Sequence, residues 1–102
     1  MSEERRTNAR KRTLRGGKIV YGDYRFTLDC VVRDMSDEGA RLKCEHLTEA
    51  PDSFFLFDPN EGILRRAEVR WRRSKEMGVA FEGAPINIHT SPDPRLARFR
   101  YL

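Results

Sequence analysis

Between residues 18 and 81 apolar side chains recur at every second position in short runs separated by turn residues. A chain patterned this way can bury its apolar face only as a β-sheet. Over residues 24–33, Phe26, Leu28, Cys30 and Val32 share one face and Thr27, Asp29 and Arg33 the other, with Val31 as the exception. Ala40, Leu42 and Cys44 then alternate with Arg41, Lys43 and Glu45. Over residues 63–73, Ala67, Val69 and Trp71 alternate with Glu68, Arg70 and Arg72. Shorter runs at 18–21, 53–57 and 77–81 bring the strands to six. The Gly, Asp, Asn and Ser clusters at 22–23, 34–39, 58–62 and 74–76 supply local turns between them. The expected fold is all-β: a six-stranded antiparallel β-barrel over residues 13–83.

The two flanks lack this pattern. Residues 1–12 carry almost no apolar side chain and are read as a flexible basic arm, unable to anchor itself in a core. Residues 84–102 form a tail. A short helix starting near Asp93 or Pro94, with Leu96 and Phe99 on one face, fits there. At 102 residues the chain suits one domain with one core. No internal repeat is visible, and no apolar stretch is long enough for a membrane span or signal peptide, so the expected location is cytoplasmic.

Charge narrows the partner. The net charge is +4, from 20 basic and 16 acidic residues, and seven of the basic ones fall in the first eighteen positions: Arg5, Arg6, Arg10, Lys11, Arg12, Arg15 and Lys18. Such an arm calls for an anion, but charge alone does not separate a nucleotide from a polynucleotide or a lipid headgroup.

Catalytic and metal chemistry find little support. Ser36 has neither a nearby histidine nor a nucleophile-elbow pattern, so no enzyme is expected. His46 and His89 lack partners at ligand spacing, and Cys30 and Cys44 lack a C-x-x-C arrangement; the cysteines read as reduced packing residues, and neither metal nor cofactor is expected.

Two motifs remain, Arg6-x-x-x-Arg10 in the arm and Asp34-x-Ser36-x-x-Gly39 between the second and third strands. Each is common alone. In this order and separation, with 69–73 and 77–81 closing the barrel, they resemble the PilZ family over residues 5–82. That resemblance implies a stand-alone receptor for cyclic di-GMP, signalling by ordering of the arm and by contact with an unidentified effector protein. It implies ligand contacts from Arg5, Arg6, Arg10, Asp34, Ser36 and Gly39, and from Trp71 as an aromatic lying against a guanine. Trp71 reads equally well as a core residue. Arg5, just before the first motif arginine, hints at an intercalated pair of ligands in place of one.

The chemistry of the residues agrees. Arginine's planar fork donates to phosphate or to guanine O6 and N7, and it stacks on purines. An ionised Asp34 can accept from guanine N1–H and the exocyclic amine together, while Ser36 adds a small hydroxyl and Gly39 removes a Cβ. Two rivals stay open: a small barrel binding single-stranded nucleic acid through its basic arm and exposed aromatics, and a PilZ-like adaptor that binds no nucleotide.

Overall fold

The computed structural model describes residues 11–101. Six strands, β1 (Lys11–Tyr21), β2 (Phe26–Met35), β3 (Gly39–Lys43), β4 (Ser53–Asp58), β5 (Ile63–Arg73) and β6 (Glu76–Asn87), close into an antiparallel barrel in the order β1-β2-β3-β6-β5-β4. The expected six-stranded barrel is what forms. Alternation is the cause: Ala40 and Leu42 are wholly buried while Arg41 and Lys43 between and after them point away. The interior packs Ile19, Cys30, Val32, Leu42, Cys44, Phe54, Leu56, Ala67, Met77 and Val79 into one core.

Two strands run further than their sequence pattern suggests. β1 begins at Lys11, paired with Met35. β6 continues past Phe81 to Asn87, where Ile86 and Asn87 pair with Leu64 and Ile63. Glu82, Gly83, Ala84 and Pro85 are exposed, so no periodicity betrays that stretch, and its proline hid it further. The first hairpin also turns later than expected. Gly22, Asp23 and Tyr24 all have left-handed φ, at 64°, 61° and 70°, so β2 starts at Phe26.

A second core lies outside the barrel. Residues Pro94–Tyr101 form a 3-10 helix, whose three residues per turn put Leu96 and Phe99 on one face. Both are buried, against Val20, Phe57, Leu64 and Ile88. This explains why Ile19 and Val20, neighbours on one strand, are both inaccessible: Ile19 faces the barrel interior, and Val20 faces the layer added by the tail. Leu56 and Phe57 repeat the arrangement. The same helix holds the left-handed turn in place. Arg95 forms an ion pair with Asp23 and lies 4.7 Å from the Tyr24 ring centroid, while Arg98 donates to the Tyr24 carbonyl oxygen at 2.5 Å.

The connection from β3 to β4 crosses the barrel end through a 3-10 turn, Leu47–Glu49. Arg72 pins it, donating to the carbonyl oxygens of Leu47 and Ala50, each at 3.0 Å, and pairing with Asp52 at 2.9 Å. Two backbone carbonyls and one carboxylate of this connection are thereby fixed to β5.

Candidate ligand-binding site

Local register decides which way the candidate side chains point. In β2, Val32 faces the core opposite Leu42, and two positions on Asp34 would face inward too. A one-residue bulge at Arg33 changes the parity: Val32 pairs with Leu42, but Asp34 pairs with Arg41. Directly opposed residues share a face of the sheet, so Asp34 turns to the outer face with Arg41. β5 repeats the device. Val69 pairs with Val79, and after a bulge at Arg70, Trp71 pairs with Gly78.

Sequence alternation therefore misplaces Trp71. It does not share a face with Ala67 and Val69; the bulge moves it outward, where it is 41% exposed and is no part of the core. Arg72 takes the inward parity, opposite Met77, which is how its guanidinium reaches the Leu47–Glu49 turn.

The result is one continuous row across five strands: Arg12 opposite Asp34, Asp34 opposite Arg41, Arg41 opposite Gly78, Gly78 opposite Trp71. A further irregularity, between Arg12 and Arg15 in β1, borders the same row. Asp34 is the buried charged residue among the described ones, and its carboxylate pairs with Arg41 at 3.1 Å. Trp71 leans over Gly78. A Cβ on that glycine would fall 2.1 Å from the indole Nε1 and 2.4 Å from Cε2, so only glycine lets the ring take this position.

The turn from Asp34 to Gly39 is tight. The Ser36 N–H donates to the Gly39 carbonyl oxygen at 2.8 Å, and the Ser36 Oγ accepts from the Glu38 N–H at 3.1 Å. Having accepted one bond, the hydroxyl keeps its own proton to donate. Phe81 N–H donates to the Glu38 carbonyl oxygen at 2.8 Å and ties the turn to β6. Gly39 is required by proximity: a Cβ there would lie 2.2 Å from the Val79 carbonyl oxygen.

The structure thus brings Asp34 and Trp71 onto one row, with Ser36 and Gly39 in the turn that follows Asp34. Arg5, Arg6 and Arg10 lie outside the described residues. The chain enters the barrel at Lys11, opposite Met35, beside Asp34. Sequence reasoning missed Arg41 and Gly78. Arg41 looked like an ordinary solvent-facing member of an alternating strand, and Gly78 carried no signal without knowledge of its partner across β5.

The sequence model of one family, the PilZ domain, matches residues 4–91. The chain belongs to the PilZ family. The match spans both motifs and the whole barrel, and no curated protein matches the chain. PilZ domains form a receptor family of the cyclic di-GMP-binding type and are typically not enzymes. Among the described residues, no helix is long and apolar enough to cross a membrane.

Proposed function

We propose that this PilZ domain is a receptor for cyclic di-GMP and that the dinucleotide is held between the arm, through Arg6 and Arg10, and the outer row bearing Asp34 and Trp71. The observation that carries the reading is the pair of bulges at Arg33 and Arg70. Each turns a side chain out of the core, and both land on the row beside which the arm joins the barrel. Bulges that re-aim a side chain are characteristic of functional sites.

In this reading Asp34 takes guanine N1–H and the exocyclic amine, a pair that adenine does not present. Trp71 offers its exposed face to a base. The Ser36 hydroxyl donates to a phosphate oxygen. Arg6 and Arg10 supply charge-assisted hydrogen bonds of about 1.5–3 kcal/mol each, which offset the entropy of ordering the arm. Arg5 extends that set, and two ligands per chain are expected. The output is a changed surface of arm and barrel that an effector protein reads, without a reaction.

Trp71 is the single tryptophan and reports directly on the site. Its fluorescence is followed while cyclic di-GMP and, separately, a single-stranded oligonucleotide are added. Saturable change with the dinucleotide, undisturbed by the oligonucleotide, supports the receptor. Length-dependent and steeply salt-sensitive response to the oligonucleotide alone would replace it with a nucleic-acid-binding barrel.

A further inference from the structure

Arg41 holds a position that the two family motifs do not account for. Its guanidinium sits on the outer row between Asp34 and Gly78, one strand from each. One Nη pairs with the Asp34 carboxylate at 3.1 Å. Its Nε is buried and has no hydrogen-bond partner among the described residues, while about a third of the side chain, 34%, is open to solvent. Because Gly78 has no side chain, nothing on β6 separates Arg41 from the indole that leans over that glycine.

This arrangement sets an acceptor, Asp34, directly beside a donor, Arg41, next to an aromatic platform. A guanine edge presents the complementary order: N1–H and the amine as donors, and O6 as the neighbouring acceptor. A carboxylate alone satisfies the donors and leaves O6 facing an oxygen. It also meets an anionic ligand with like charge, which an adjacent guanidinium cancels.

We propose that Arg41 is a further guanine-reading residue, donating to O6 of the base whose N1–H and amine go to Asp34. The proposal rests on the cyclic di-GMP reading and adds to it the residue that reads O6. It assigns the cross-strand ion pair a role in specificity, beyond joining β2 to β3.

The test is calorimetric, on the full chain, with two ligands: cyclic di-GMP and its 6-thioguanine analogue. The analogue keeps N1–H and the amine but replaces O6 by sulfur, a weak acceptor. Wild type is expected to bind the analogue about tenfold or more weakly. Arg41→Met, which keeps bulk and loses every donor, is expected to bind cyclic di-GMP roughly 10- to 100-fold more weakly, the range of one lost base contact. It should also cease to discriminate between the ligands. A merely structural role would lower affinity for both and leave the ratio intact, and that result overturns the proposal. If Arg41→Met does not fold, the wild-type ratio decides alone: near-equal binding of the two ligands rejects an O6 contact. Wild type that binds neither ligand defeats the receptor reading itself, and the proposal with it.

Discussion

Gly39 and Gly78 lie one strand apart, and a methyl group on either meets an atom at about the same distance, 2.2 Å from the Val79 carbonyl oxygen and 2.1 Å from the Trp71 Nε1. The consequences differ because one obstacle is backbone and the other is side chain. Val79 belongs to the β3–β6 ladder, where Gly39 faces Ala80 and Ala40 faces Val79. Moving its carbonyl means lengthening ladder hydrogen bonds on both strands. Overpacking costs about 1–3 kcal/mol, and one weakened hydrogen bond about 1 kcal/mol more. Against this stands a gain of about 0.5–1 kcal/mol for replacing glycine by alanine in a strand. Gly39→Ala should therefore lose about 2 kcal/mol, within a range of about 1–3.5 kcal/mol. In Gly78→Ala the indole swings away on its own χ angles, and stability should stay within about 1 kcal/mol of wild type.

Urea denaturation followed by circular dichroism separates the two. With a slope of roughly 1–1.5 kcal/mol per molar urea, Gly39→Ala should lower the midpoint by about 2 M and Gly78→Ala by less than about 1 M. Fluorescence should invert the ranking. Native Gly78→Ala should emit to the red of wild type because its lone tryptophan, already 41% exposed, loses the cover that Gly78 gives one side of the indole, whereas native Gly39→Ala should emit as wild type does. A Gly78→Ala variant less stable than Gly39→Ala, or one with unshifted emission, would refute the reasoning.

Phe99→Ala should cost about 3–5 kcal/mol, as for a buried core phenylalanine, although Phe99 lies outside the barrel; a thermal melt within a degree or two of wild type would show the tail layer to be dispensable. Burial, with smaller contributions from Cys44 and Asp29, pushes the Cys30 thiol from its ordinary 9.0 up to about 12. The unfolded chain then ionises this thiol first, so its contribution is intact below pH 9 and is lost as pH rises from 9 to about 12, some 4 kcal/mol in all. Stability of Cys30→Ala measured across pH 9–11 should accordingly fall less steeply than wild type, by roughly 1 kcal/mol per pH unit, and parallel slopes would contradict the burial argument.

The barrel was legible because its strands alternate cleanly where one face is solvated, as in Ala40, Arg41, Leu42, Lys43. The family was legible because Arg6, Arg10, Asp34, Ser36 and Gly39 keep a recognisable order. Orientation was not legible. A bulge shifts parity by one residue and leaves no mark on a strand's own composition, so Trp71 reads as a partner of Val69 until its pairing with Gly78 is known. The tail's packing was half written in the doublets Ile19–Val20 and Leu56–Phe57, which place apolar residues on both faces of a strand and so require a second covering layer. The segment 82–87 gave no sign of being strand, because its pairing with β5 is made by backbone while most of its side chains stay in water.

The central claim is that the row bearing Asp34 and the arm bearing Arg6 together hold cyclic di-GMP. Isothermal titration of wild type, Arg6→Ala and Asp34→Ala with the dinucleotide tests it most directly. The account predicts saturable wild-type binding at two ligands per chain, abolished by either substitution, with both variants melting within a few degrees of wild type. A folded wild type that takes up no dinucleotide would contradict it, as would variants that bind as tightly as wild type.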